Sequence, residues 1–148
     1  MRTRNLALVI GLLLALSVVL LGCGRSEEEA VRDSIKGFTA AYNDGDYDKC
    51  VEYFEGVDDS NREEALSTLG VARAVVESIE VKSIDNIAIE ESTATAEITA
   101  TATMSSMLGG QSADETVNMT LTKSDGRWKF DFNALAQEIL SGLTSMLS

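Results

Sequence analysis

Two cysteines, three tyrosines and one acid-rich turn carry most of the chemistry that this 148-residue sequence offers. Histidine is absent, which removes both the side chain that titrates near neutral pH and the commonest metal ligand. Cys50 shares a helical stripe with Tyr47, Val51 and Phe54 and reads as a small buried hydrophobe. A reactive thiol needs a neighbouring base to become thiolate, and no histidine supplies one. Asp44, Asp46, Asp48 and Glu55 recur at the intervals of an EF-hand loop. The sixth position of such a loop requires glycine for its sharp turn, but here it is Lys49, in a stretch that itself reads as helix. The cluster therefore predicts a solvated corner between helices, with no metal bound.

Cys23 stands apart because of what precedes it. Met1-Arg2-Thr3-Arg4 carries two positive charges, and a greasy run from Leu6 to Leu21 follows, closing in Gly22-Cys23. These are the n-region and h-region of an export signal. The run is shorter than the ~20 apolar residues that a spanning helix needs, so it reads as a signal and not as a permanent span. Leu20-Leu21-Gly22-Cys23 resembles the lipobox of bacterial lipoproteins. That resemblance implies cleavage of residues 1–22, a diacylglyceryl group on the Cys23 thiol and an acyl chain such as palmitate on the new amine. Several chains, at ~0.8 kcal/mol per buried CH₂, hold a protein on a membrane far better than one. The implied location is the cell envelope, lipid-anchored on the extracytoplasmic side, with the membrane as a partner through the N-terminal lipid.

Charge narrows the other partners. Setting Arg2 and Arg4 aside leaves 10 of the 12 basic residues against 24 acidic ones, a formal charge of −14. Such a surface repels nucleic acid and anionic headgroups, so no nucleic-acid partner is expected. After residue 22 the chain has room for one compact domain. With Cys23 acylated, Cys50 has no cysteine to pair with, and the fold must rest on its apolar core.

The elements that position these residues follow from periodicity. Residues 23–25 form a short tether, and Ser26 with Glu29 makes a capping box that opens a helix, placing the domain close to the lipid. Val31, Ile35, Phe38 and Tyr42 recur at helical spacing, until the Asn43-Asp44-Gly45-Asp46 turn. A second short helix follows, and a third is predicted to open on a capping box of Ser60 and Glu63, with Leu66, Leu69 and Val76 facing inward. From Ile79 the period becomes two, with an irregularity expected at Asp85-Asn86 and a turn at Glu90-Glu91-Ser92. Ala94, Ala96, Ile98, Ala100, Ala102 and Met104 then alternate strictly with threonines and Glu97. Val117, Met119 and Leu121 share one face of the next strand, and Asp125-Gly126 predicts a hairpin to a last strand with Trp128, Phe130 and Phe132. Residues 133–148 read as an amphipathic helix, with Leu135, Ala136, Ile139, Leu140, Leu143 and Leu147 on its apolar stripe.

This order of elements, the Asn43–Tyr47 turn and the Gly126-Arg127-Trp128-Lys129-Phe130 ending resemble the NTF2-like superfamily, and within it the small secreted lipoproteins of DUF4878 type. The resemblance covers residues 26–132. It implies an α+β cone, with N-terminal helices packed on a curved antiparallel sheet of about four strands, followed by a C-terminal helix. Enzymes of that superfamily place an aspartate or histidine base and a tyrosine or second acid inside the cone. On the inward face here the assignable residues are apolar, with Glu97 and Asp131 on the wet alternates, so no acid and no catalytic residue is expected. The row of alanines leaves volume that something must fill. Packing by the protein's own helices is the expected solution, ahead of a small apolar ligand bounded by Ala96, Ile98, Ala100, Ala102, Met119, Trp128 and Phe130. The expected role is a non-enzymatic binding or interaction module without a cofactor, contacting a small apolar molecule or another envelope protein close to the lipid. The alternative is an isomerase- or dehydratase-like enzyme. Labelled palmitate is expected to enter the chain, and Cys23→Ala to abolish both the labelling and retention in the membrane fraction.

Overall fold

The computed structural model describes residues 26–137 and 141. The signal, Cys23, and the apolar residues Ile139, Leu140, Leu143 and Leu147 lie outside the described residues. No helix of the described residues is long and apolar enough to cross a membrane.

Helix α1, Glu27–Asp44, opens as its capping residues predict: the Ser26 hydroxyl accepts the Glu29 N–H at 3.2 Å, and three glutamates occupy the positive end of the helix dipole. Its buried stripe is Val31, Ile35, Phe38, Ala41 and Tyr42. Gly45, at φ +71°, ends it in the left-handed conformation, and the Asp46 N–H closes on the Ala41 carbonyl at 3.0 Å. The short helix α2, Tyr47–Cys50, is capped by Asp46 and runs into a 3₁₀ turn at Val51–Tyr53.

Here the structure departs from the sequence expectation. Phe54 does not continue the helical stripe; Phe54–Glu55 is a short strand, β1, paired in parallel with the last strand. Helix α3, Arg62–Val75, also starts differently, after Asn61 and without a side-chain cap. The cap position falls on Asn61, one residue after Ser60, whose N–H and hydroxyl both donate to Asp58, and the predicted capping box does not form. Val76 leaves the helix and begins the next strand.

Strands β2 (Val76–Glu90), β3 (Thr93–Met104), β4 (Ser112–Ser124) and β5 (Arg127–Asp131) complete a sheet of order β1-β5-β4-β3-β2. The expected irregularity in β2 is a register shift between Asp85 and Ala88, with Asn86 at φ +50°. Two further shifts, after Val76 and after Val81, add to the curl of this strand. Asp125 and Gly126 take φ +53° and +76°, the double positive φ that Asp-Gly hairpins favour. Residues 132–137 are helical and carry Phe132 out of the strand, beginning the C-terminal helix.

The core lies between α1, α3 and the concave face of the sheet. Trp128, Phe54, Ile35, Leu121, Val31 and Cys50 are its most buried large side chains. Phe38 is the hub of an aromatic group, with ring centroids 5.3 Å from both Phe54 and Phe130. At the hairpin end, the Glu27 carboxylate accepts from Lys123 Nζ at 2.8 Å and from Trp128 Nε1 at 2.9 Å, tying the start of α1 to β4 and β5. These two hydrogen bonds, that of Lys123 first, hold the Glu27 carboxyl below its ordinary range. A carboxyl with a depressed folded pKa stabilises the fold above its unfolded pKa, and that contribution is lost as the pH falls through the folded value. Glu27→Gln is therefore expected to lower the thermal midpoint near neutral pH and to lower it less in acid strong enough to protonate Glu27 in the folded chain. An equal loss at both would contradict this account.

Candidate functional site

Burial along β3 divides the sheet in two. Ala94, Ala96 and Ile98 are buried, whereas every residue from Thr99 to Met104 is half-open. The closed half is the core just described. The open half forms one wall of an apolar hollow of about 280 Å³ beneath Phe38, Tyr42, Leu69, Val76, Ile79 and Leu135. A second compartment of about 320 Å³ adjoins it, sharing Phe38, Val76, Ile79, Ala100, Val117 and Leu135 and extending to Ile98, Met119 and Phe130. The described helices leave this volume open, and most of the C-terminal helix expected as one possible cover lies outside the described residues. Alanine on β3 is the reason: its Cβ ends where a larger side chain would reach α1.

Five of the seven residues proposed from sequence line these compartments. Ala100 and Ala102 face the first, and Ala100, Ile98, Met119 and Phe130 the second. Ala96 and Trp128 line neither and belong to the core cluster. Ala96, 1 % exposed, lies in the closed half of β3 opposite Met119. Trp128 sits at the hairpin end with its indole N–H on Glu27, where α1 begins. Alternation told which face each residue takes; it did not tell where along the strand the helix stops covering the sheet.

One lining residue was missed. Glu115 shares the parity of Val117, Met119 and Leu121, so the same alternation that assigned those three places it on the concave face. It pairs with Ala100 on β3 and borders both compartments. The expectation of an acid-free inward face is thereby corrected. Glu115 escapes burial because it is exposed near the start of β4, where β5, paired only with Leu121 to Ser124, no longer flanks the strand. Its stem joins the wall while its carboxylate stays at the rim in water, as long charged side chains do.

Other polar groups around the hollow are committed to structure. The Tyr42 hydroxyl donates to the Val76 carbonyl at 2.6 Å, and burial pushes its pKa far above the ordinary phenol value. Asn43 forms a two-way amide pair with Ile79, donating to its carbonyl at 2.8 Å and accepting its N–H at 2.9 Å. Arg73 donates to the Tyr42 carbonyl, and Arg32 to that of Ile84. The contacts of Tyr42, Asn43 and Arg32 pin α1 along β2, and that of Arg73 ties α3 to α1. The acidic corner is committed as well: Asp46 caps α2 and Asp48 pairs with Arg62 at 2.8 Å. No group of three or more carboxylate or cysteine side chains converges among the described residues. Cys50 is fully buried, and desolvation, reinforced by Asp46, pushes its thiol up to about 11, leaving it protonated.

No protein-family model matches the chain, and no curated protein matches it in sequence. Its fold is nevertheless shared by solved structures. An NTF2-like protein of unknown function from Shewanella oneidensis superposes with a TM-score of 0.55 at 13% identity, over 71% of this chain and 94% of that one. An NTF2-like protein from Cytophaga hutchinsonii gives 0.54 at 14% identity, over 72% and 93%. A candidate polyketide cyclase from Xanthomonas campestris gives 0.50 at 12% identity, over 77% and 99%. At these identities the likeness establishes the fold alone: the chain is an α+β domain of NTF2-like fold, with helices on a curved, unclosed sheet of five strands.

Tyr42→Phe is expected to cost about 1–2 kcal/mol in urea denaturation, because it leaves the Val76 carbonyl without its donor. A loss within error would show that water replaces the hydroxyl there.

Proposed function

We propose that this chain is an extracytoplasmic lipoprotein of DUF4878 type, anchored through Cys23, whose NTF2-like domain is a non-enzymatic module that takes a small apolar molecule in its hollow. The observation that carries the reading is a wall made almost wholly of carbon around an unfilled space at the open half of the sheet. Pockets for small molecules have this character: mostly apolar, few per protein, with one or two polar groups to set orientation.

Anchoring at Cys23 gives the domain an orientation. Glu27 is tied to the hairpin end, whereas the hollow lies toward Met104, at the other end of the sheet. From Ala94 to Ala102 the strand advances about 25 Å, at 3.3 Å per residue. On this reading the tether enters beside the hairpin end, and the hollow lies toward the opposite end of the sheet. The loop between β3 and β4, which follows Met104, exposes Met107 and Leu108. This geometry suits exchange with the aqueous compartment or with another envelope protein.

One observation favours the enzymatic alternative, an isomerase or dehydratase. Glu115 is a carboxylate at the edge of an apolar cavity, and a general base needs both. A second group to stabilise developing charge is required as well, and the Tyr42 hydroxyl is already donated to Val76. The binding reading therefore accounts for more of the site.

The mature chain from residue 23, with Cys23→Ser to keep it soluble, tests the proposal by native mass spectrometry. An added apolar mass on the wild-type domain is expected. Its loss in Ala102→Leu, with the fold retained or stabilised by about 0.5–2 kcal/mol as the space is filled, would place it in the hollow. An empty wild-type domain that also refuses small apolar probes would leave the interaction role without a ligand.

A further inference from the structure

We infer that the molecule taken by this hollow is a small hydrophobic amine, its apolar body among Ile79, Ala100, Ala102 and Val117 and its cationic head against Glu115. The inference rests on the reading of the hollow as a ligand site and adds the chemical class of the ligand.

Three observations converge on it. First, Glu115 borders both compartments and, among the described residues, is the only Asp, Glu, Lys or Arg lining either of them. Second, among the described residues its carboxylate has no ion pair: each salt bridge present engages another acid, namely Asp48, Glu80, Glu27 or Glu52. Its neighbour Asp114, by contrast, is held by the Thr101 hydroxyl at 2.6 Å on the opposite face of the strand. Third, the sign of the field is uniform. With a formal charge of −12 on the whole chain, and no lysine or arginine among the described residues of the wall, a carboxylate or phosphate head would meet repulsion at the rim, whereas an ammonium would meet a carboxylate without an ion pair among those residues.

The dimensions limit the body. A compartment of about 280 Å³ lies at the small end of ligand pockets, and the adjoining 320 Å³ extends it along the sheet. This suits a compact ring system or a short chain better than a long acyl chain. Glu115 lies opposite Ala100, midway along the open half of β3. A head placed on Glu115 therefore leaves the body no polar group to bury except hydroxyls and carbonyls that are already paired.

The decisive comparison keeps the body constant and changes the head. The chain from residue 23 with Cys23→Ser contains its whole core, which spans Val31 to Phe130. It would be titrated calorimetrically with 1-aminoadamantane, 1-adamantanol and 1-adamantanecarboxylate at low and at physiological salt. The amine is expected to bind about five- to tenfold more tightly than the alcohol, and the carboxylate more weakly than either. Glu115→Gln should bring the amine to the level of the alcohol and leave the alcohol unchanged, with the thermal midpoint confirming that the variant is folded. Ala102→Trp, which fills the hollow, should abolish binding of all three. Equal affinity for amine and alcohol in the wild type would overturn the role of Glu115 while leaving the hollow as a ligand site. Amine binding that survives Ala102→Trp would reveal simple attraction to an acidic surface and would overturn the inference. Failure of all three compounds to bind would remove the ligand site itself.

Discussion

The hollow depends on how α1 is held over β2. Three side chains of the helix reach backbone atoms of that one strand: Arg32 at Ile84, Asn43 at Ile79 and Tyr42 at Val76. Side chain to backbone bonds fix separation in a way that apolar packing does not, because each must be made at one distance and in one direction. Asn43 goes furthest, replacing a ladder partner for Ile79 with both halves of its amide. With α1 fixed at that height, the length of the facing side chains decides whether the interior is filled.

Side-chain length is graded along β3. Near the hairpin, Ala94 and Ala96 are covered by a core that includes Leu121, Trp128 and Phe130. Beyond Ile98 the strand continues with Ala100 and Ala102, and Phe38 and Tyr42 stand over that half without filling it. The same residue type is thus core at one end of the strand and cavity wall at the other. Close packing is a property of what stands opposite a residue as much as of the residue itself.

The chemistry of the domain is thin, for physical reasons. Cys50 is kept protonated by burial, Tyr42 is held as a donor to the backbone, and the aspartates of the first corner serve as cap and ion pair. Glu115 remains, with water on one side and carbon on the other. On the proposed reading a lone acid in that position suits a positive head or a donor, whereas catalysis would call for a second group beside it.

Much of this architecture was legible from residues 26 to 132. The capping box of α1, its apolar stripe, the Gly45 stop, the irregularity at Asp85-Asn86, the alternation of β3 and the Asp125-Gly126 hairpin are all local rules. Each depends on neighbours within a few residues, so the sequence by itself determined them. What it missed was decided by contacts between distant segments. Phe54 became a strand because β5 offers it a partner 76 positions away. Glu115 could have been placed inward by parity alone, since it follows the same alternation as Val117 and Met119, but its position at the rim could not. That position depends on where β5 ends and how far α1 reaches, and these are set only when the sheet curls beneath the helix. The faces of the strands were written in the order of residues; the hollow between them exists only in the assembled fold, because an empty space belongs to no single segment.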